Sequence, residues 1–129
     1  MITYEDMVDR NLGIINEEQQ ALLKNSCVAV FGIGGLGGII VEILCRSGIG
    51  HIKIIEPDNL EPSNLNRHVF CFHSTVGMKK NDVAEKFLKD INPGSGHAYP
   101  NNFIYINGLI FFIAEHPTYG EEIYKLYYN

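Results

Sequence analysis

The sequence predicts an α/β fold in which helices cover a mainly parallel sheet in three layers, and three observations support this class. Two short apolar runs, 27–31 and 51–55, predict strands, and the first is typical of a strand buried on both faces. Between them, apolar residues recur at helical spacing over 39–45. Five glycines lie over 32–38, where the first run meets the helix. This order is that of a βαβ unit.

Weaker signals place the remaining elements of the first 93 residues. Residues 1–16 predict one short helix, and Asn16 predicts the N-cap of a second helix that runs to about Lys24. Residues 59–67 are typical of a loop. Residues 80–91 carry apolar side chains on one helical face, and Asn92-Pro93 ends that helix.

The composition changes after Pro93. Six of the seven tyrosines lie between residues 99 and 128, and the stretch 94–129 contains neither Asp nor Cys. We expect strands near 103–106 and 109–114 and a helix near 120–128. The sequence therefore predicts an α/β half-domain over 1–93 and a divergent Tyr-rich tail over 94–129, so that the α/β domain looks truncated.

The bulk properties favour a cytoplasmic protein. The net charge of −5 argues against a nucleic-acid partner, because phosphate backbones bind basic surfaces. The three cysteines, Cys27, Cys45 and Cys71, fit neither a disulfide framework nor a zinc pair. No apolar run reaches the roughly 20 residues of a membrane span, and no signal peptide is evident.

The glycine-rich turn has the spacing of a dinucleotide-binding loop, which predicts a Rossmann-like domain. Gly32 would allow the tight turn after the strand, Gly34 would let backbone approach a phosphate, and Gly37 would let the helix pack on the strand. Glu56 follows Gly32 by 24 positions and can accept hydrogen bonds from ribose hydroxyls. Glycines that serve packing alone are the structural alternative. The loop lacks the G-K-[S/T] ending of a P-loop.

Polar residues after the second strand form a second candidate group. Asp58, Ser63, Asn64 and Arg67 follow the strand, and Lys80 begins the next predicted helix. Neutral donors and a planar guanidinium suit phosphate oxygens. Ligands of open α/β sheets bind at the carboxyl ends of the strands, where these residues would meet. Asn-rich loops are also common as plain turns.

Together these segments resemble one family. The strings VAVFGIGGLGG, IKIIEPDNLEPSNLNRH and STVGMKKNDVAEKFLKDINP are similar to the ThiF/MoeB/HesA adenylyltransferases, which are relatives of the ubiquitin-activating enzymes. The family pattern reads GxGGLG, D-x-D, S-N-L-x-R-Q, T-x-G-x-x-K and I-N-P, and the matching segments of this chain occur in the same order over about residues 10–93. This resemblance is far more specific than the glycine loop alone.

The resemblance implies ATP-dependent adenylation of the C-terminal carboxylate of a ubiquitin-like protein, a sulfur-carrier protein or a peptide. It implies that Gly35 lines the nucleotide and that Glu56 holds the ribose. Asn64 and Arg67 would contact phosphate oxygens, and Lys80 would neutralise the developing charge. Arg10 matches an arginine that reaches into the site of a partner subunit, so that Arg10, Arg67 and Lys80 are the expected catalytic residues.

The sequence departs from the family pattern at several positions that could affect activity. Glu56 stands where Asp is usual, and His68 where Gln is usual. The aspartate that holds Mg²⁺ in the family is not found after Pro93, so the chain could be an inactive, truncated relative. His68, Cys71 and His73 lie close together, but a fourth ligand is not evident and we predict no metal site.

Two other functions remain open. The same glycine loop could bind NAD or FAD in an oxidoreductase, although the S-N-L-N-R stretch and Lys80 have no evident purpose there. The chain could also be a non-catalytic nucleotide-binding module that pairs with a full-length relative. An open half-sheet leaves apolar surface uncovered, which predicts a homodimer.

Overall fold

In a computed structural model, the structure describes residues 2–92 together with the backbone of 104–106, 109–116 and 120–127. The chain forms two units, Met1–Ala98 and Tyr99–Asn129, which we describe separately. The first contains α1 (Tyr4–Val8), α2 (Glu17–Lys24), β1 (Cys27–Phe31), α3 (Gly35–Arg46), β2 (His51–Ile55) and α4 (Lys80–Ile91). Short 3₁₀ turns follow α1 at Asp9–Gly13 and precede α4 at Pro62–Asn64.

The βαβ unit is present as the sequence predicts. β1 and β2 pair in parallel with Cys27 opposite His51 and Phe31 opposite Ile55, and α3 connects them. The predicted helices at 16–24 and 80–91 are also confirmed, and Asn16 caps α2 through a hydrogen bond from the Gln19 N–H at 2.8 Å. This architecture confirms the α/β, Rossmann-like class. The described helices that join the core lie on one face of the β1–β2 pair.

The core lies between the two strands and the helices α3 and α4. Its fully buried members come from α3, β2, α4 and the segments between them, and Val28 and Val30 of β1 pack against it. The centre contains Ile33, Val41, Cys45, Ile49, Ile52, Phe70, Ala84 and Leu88. Burial of these side chains is the main force that holds α4 against the βαβ unit.

The expectation that β1 is buried on both faces is wrong. Cys27, Ala29 and Phe31 are exposed, whereas Val28 and Val30 are half-buried against the core. In the part of the chain that the structure describes, β1 pairs only with β2. One face of β1 therefore meets the helices and the other meets solvent, which gives the alternating burial of a half-covered strand.

The end of α3 is joined tightly to the N-terminal segment. Gly48 has φ +89°, and the N–H groups of Gly48 and Ile49 donate to the carbonyls of Cys45 and Leu44, as in a Schellman motif. The Tyr4 hydroxyl donates to the Gly48 carbonyl at 2.7 Å. A Cβ at Gly48 would lie 2.4 Å from the Gln20 amide nitrogen and 2.5 Å from the Tyr4 hydroxyl. Only glycine fits both this conformation and this space.

The second unit contains three antiparallel strands, β3 (Ile104–Ile106), β4 (Leu109–His116) and β5 (Gly120–Tyr127), in the order β3-β4-β5. The strands expected near 103–106 and 109–114 are confirmed for the residues described. The helix expected near 120–128 is wrong, because Gly120–Tyr127 pairs along its whole length with β4. Pairing with a neighbouring strand outweighs a weak local helical pattern.

Among the described residues, no helix is both long enough and apolar enough to cross a bilayer.

Candidate functional site

The glycine loop connects the end of β1 to the start of α3 in a single tight turn. Gly32 has φ +80°, and its N–H donates to the Ile55 carbonyl of β2 at 2.9 Å. A Cβ at Gly37 would lie 2.0 Å from the Gly32 carbonyl oxygen, so the first turn of α3 packs directly on the loop backbone. By contrast, nothing lies within 4 Å of a Cβ placed at Gly34. The outer side of the loop is therefore open.

The carboxylate of Glu56 ties the loop to β2. Its Oε2 accepts the Ile33 N–H at 3.0 Å and its Oε1 accepts the Asp58 N–H at 3.1 Å. The Glu56 side chain is only 6% exposed. A buried carboxylate needs such donors and a counter-ion, because its charge is poorly solvated there.

Lys80 supplies that counter-ion from the first residue of α4. Its Nζ lies 3.5 Å from Glu56 Oε2 and 3.2 Å from Asp58 Oδ2. The Lys80 side chain is 9% exposed, whereas that of Asp58 is 69% exposed. The Lys80 N–H also donates to the Asp58 carbonyl at 3.1 Å. The start of α4 is thus held at the same rim of the sheet as the glycine loop.

The polar turn after β2, which contains Ser63, Asn64 and Arg67, packs against the glycine loop at Gly35. A Cβ at Gly35 would lie 3.2 Å from Arg67 Cγ and 3.4 Å from the Arg67 carbonyl oxygen. Arg67 Nη1 donates to the Ser63 carbonyl at 2.7 Å and to Asn66 Oδ1 at 3.0 Å, which fixes an otherwise exposed guanidinium. Its remaining N–H groups are available to an anion.

Asn64 anchors this turn. Its backbone carbonyl accepts the N–H groups of Arg67 at 3.1 Å and His68 at 2.9 Å, and its Oδ1 accepts the Glu61 N–H at 3.0 Å. The side chain is largely buried, and within residues 2–92 its Nδ2 has no hydrogen-bond partner. Asn64 can therefore donate to an acceptor that enters from solvent.

The structure brings together all but one of the predicted site residues. Gly32, Gly34, Gly35 and Gly37 form the loop, and Glu56, Asp58, Ser63, Asn64, Arg67 and Lys80 surround it. Arg10 lies elsewhere. Its neighbour Asn11 donates to the Ser47 carbonyl at 3.3 Å, at the end of α3 opposite the loop. A helix of 12 residues is about 18 Å long, so Arg10 cannot reach its own loop.

The profile of the ThiF family matches residues 8–106, which include the loop, the polar turn and the start of α4. The chain belongs to the ThiF family. The tRNA threonylcarbamoyladenosine dehydratase of Bacillus subtilis (strain 168) is 43% identical to this ThiF-family chain over 84 residues, which are 65% of the chain and 33% of that protein. The sulfur carrier protein adenylyltransferase of Thermus thermophilus is 39% identical over 79 residues, which are 61% and 29% of the two chains.

The chain is also similar in structure to solved proteins. The E. coli tRNA N6-threonylcarbamoyladenosine dehydratase TcdA, in complex with ATP, superposes with a TM-score of 0.73 at 28% identity. The match covers 78% of this chain and 41% of that one. The ThiF-family chain therefore spans between 29 and 41% of the length of these relatives.

The candidate site contains two residues that the sequence pattern does not reveal. Asn81 Nδ2 donates to the Glu56 carbonyl at 2.8 Å, and its position directly after Lys80 was the available signal. His68 was considered only as a metal ligand or a departure from the family pattern. It is 5% exposed, and burial lowers the pKa of its imidazole, with the charge of Lys80 acting in the same direction.

Proposed function

We propose that this chain provides the ATP site for the adenylation of a carboxylate. The observation that carries the proposal is the convergence of Gly35, Arg67 and Lys80 at one rim of the β1–β2 pair. Free backbone amides at the start of a helix favour phosphate, and the two cations face the same loop. The E. coli relative in complex with ATP supports the nucleotide assignment.

Each part of the rim has a role in this proposal. The amides of Gly34 and Gly35 bind phosphate oxygens, and Arg67 presents its remaining donors to them. Asn64 adds its Nδ2, which has no hydrogen-bond partner within residues 2–92. Glu56 takes a ribose hydroxyl on Oε1, which accepts only the Asp58 N–H within residues 2–92. The exposed Asp58 carboxylate lies beside it.

The reaction follows from this arrangement. An oxygen of the substrate carboxylate attacks the α-phosphorus of ATP, and the bond to the β-phosphate oxygen breaks. The products are an acyl-adenylate and pyrophosphate. Lys80 and Arg67 stabilise the charge that develops on the phosphate oxygens, as in other phosphoryl-type transfers that depend on positioning and charge.

Magnesium belongs to the proposal as the counter-ion of the triphosphate. Residues 2–92 contain no group of three or more His, Cys, Asp or Glu side chains that could hold a metal. A magnesium ion at this rim would thus depend on the nucleotide and on residues outside 2–92.

We propose a ubiquitin-like protein, a sulfur-carrier protein or a peptide as the acceptor, in the cytoplasm. The sulfur carrier protein adenylyltransferase among the relatives supports this class. A second candidate is a carboxylate carried on tRNA, because the Bacillus subtilis relative at 43% identity is a tRNA threonylcarbamoyladenosine dehydratase. Both acceptors fit the same activation, since a carboxylate oxygen is a poor leaving group and adenylation makes it a good one.

ATP–pyrophosphate exchange tests the function. The full chain is incubated with ATP, labelled pyrophosphate and one acceptor, either a carrier protein ending in glycine or modified tRNA. Exchange with the carrier protein alone supports our proposal, and exchange with tRNA alone supports the second candidate. If NAD binds more tightly than ATP in separate titrations, the site belongs to an oxidoreductase. Exchange only after a longer relative is added would identify a non-catalytic partner module.

We also propose a homodimer in which two copies of α3 pack against each other. Leu36, Ile39, Ile40 and Ile43 form one stripe along α3, and each is between 41 and 73% exposed. We propose that the two-fold axis of this isologous interface is perpendicular to α3, so that the two helices run antiparallel. The end of α3 near Arg10 then lies beside the glycine loop of the second copy. The site therefore lacks Arg10 unless a second copy supplies it.

Light scattering on charged variants of this stripe tests the dimer. We expect the wild-type chain to be dimeric and Ile40→Glu to be monomeric, because a carboxylate at the centre of the stripe would be buried without a partner. Leu22→Glu is the matched control, since Leu22 is 65% exposed on α2, away from the stripe. A monomeric wild-type chain, or a monomeric Leu22→Glu variant, contradicts the assignment.

A further inference from the structure

His68 is a buried histidine beside the candidate phosphate loop. Its Nδ1 accepts the Phe70 N–H at 3.2 Å. An imidazole nitrogen that accepts a hydrogen bond carries no proton, so the neutral ring has its proton on Nε2. Nε2 is buried, and within the described residues it has no hydrogen-bond partner. The ring thus presents one unsatisfied donor to the protein interior.

The surroundings of His68 identify what this donor faces. A Cβ at Gly38 would lie 3.7 Å from His68 Cε1 and 3.7 Å from the Ile33 carbonyl oxygen. That carbonyl also favours protonation of the ring, which places it beside the imidazole. The Ile33 N–H, on the other side of the same residue, is already held by Glu56. Ile33 therefore lies between an acidic acceptor and an imidazole donor.

The geometry of the peptide bond links this contact to phosphate binding. The Ile33 carbonyl and the Gly34 N–H belong to one planar, trans peptide unit and point in opposite directions. A donor that holds the carbonyl inward consequently turns the Gly34 N–H outward. Space around Gly34 is open, as a phosphate-binding amide requires.

We infer that His68, in its neutral Nε2–H form, is the positioning residue that orients the Gly34 amide toward the nucleotide phosphates by donating to the Ile33 carbonyl. The inference rests on the proposed nucleotide site and adds a residue to it. A short movement of the loop when phosphate binds would complete the hydrogen bond that the unbound chain leaves open.

The charges that face His68 keep the ring neutral. Burial is the largest cause that lowers its pKa, and Lys80 of α4 and the neighbouring Arg67 act in the same direction. Glu56 after β2 and the Ile33 carbonyl oppose them. A second proton would have to enter on Nδ1, where it would break the bond from Phe70. Protonation of His68 at low pH should therefore disturb the glycine loop that packs on it.

ATP titrations on the full chain, from pH 8 down to the pH at which the fold is lost, test the inference. Below the pKa of His68, the wild type should lose up to about tenfold in affinity per pH unit beyond the loss seen for His68→Gln. Glutamine offers a donor and an acceptor and does not titrate, so it should keep most of the affinity. His68→Leu should be weak at every pH, and the exposed His73→Gln variant should behave as wild type.

A parallel pH slope in wild type and His68→Gln would overturn the inference, as would unchanged affinity in His68→Leu. A second measurement distinguishes failure of this inference from failure of the proposed function. If ATP does not bind at any pH, NMR of the unbound chain still reports on His68. The Gly34 amide signal should then titrate with the His68 ring in wild type and not in His68→Gln. A ring protonated on Nδ1 in the neutral form would overturn the inference by itself.

Discussion

At the scale of single residues, Lys80 is the side chain on which most of the rim depends. Its ammonium lies between Glu56 and Asp58, and both Lys80 and Glu56 are almost fully buried. A buried ion pair is strongly destabilised when one partner alone is removed, because the other charge stays behind. Lys80 therefore links the stability of the unit to the chemistry that we propose.

Substitution of Lys80 should have a much larger effect than substitution of its sequence neighbour, Lys79. We expect Lys80→Met to lower pyrophosphate exchange by about 100- to 1,000-fold and the free energy of unfolding by about 3–5 kcal/mol. Lys79→Met is the control, because Lys79 is exposed at the same helix start. Exchange assays and urea unfolding measure the two effects. Equal behaviour of both variants would remove Lys80 from the site.

At the scale of elements, the glycine loop contains positions with different constraints. Gly37 is limited by backbone contact, whereas Gly34 borders open space. Gly34 has φ −63°, which an alanine can adopt. The same substitution should thus affect folding at one position and ligand binding at the other.

We expect Gly37→Ala to destabilise the chain by about 1–3 kcal/mol, because its methyl group would overlap the Gly32 carbonyl. Gly34→Ala should cost less than about 1 kcal/mol in stability, yet it should weaken ATP binding, since its methyl group occupies the space proposed for phosphate. Thermal unfolding and ATP titration on both variants check this. Normal ATP binding by Gly34→Ala would place the phosphates elsewhere.

The sequence predicted an element correctly where its local pattern favours a single secondary structure. The glycine spacing, the Asn16 cap and the helical face of 80–91 each specify one structure, and β1, α3, β2 and α4 follow them. The burial of β1 and the secondary structure of residues 120–127 depend on which strands pair with them, and no local pattern contains that information. The roles of His68 and Asn81 depend likewise on contacts made only after folding.

At the scale of the whole molecule, the site that we propose is shared between two copies. Arg10 is fully exposed and lies at the far end of α3 from its own loop. Only a second chain can bring an arginine from this position to the phosphates. The catalytic unit would then be the dimer.

Mixing two inactive variants tests the shared site. Arg10→Ala and Lys80→Met should each be inactive in pyrophosphate exchange. When they are mixed and allowed to exchange subunits, half of the sites in each mixed dimer combine an intact loop with a partner's Arg10. We expect activity to return toward a quarter of the wild-type value under random pairing. If Arg10→Ala alone retains full activity, the arginine has no role in the partner's site.

The turn at Gly48 has a consequence for the second copy. The contacts of Tyr4 and Gln20 with this turn hold the segment that presents Arg10. A larger residue at Gly48 would push that segment away without touching the glycine loop or the α3 stripe. Its own nucleotide pocket would stay intact, and the defect would emerge in the neighbouring subunit. Substitution of Gly48 should therefore lower the activity of the proposed dimer, although Gly48 lies in neither reaction centre.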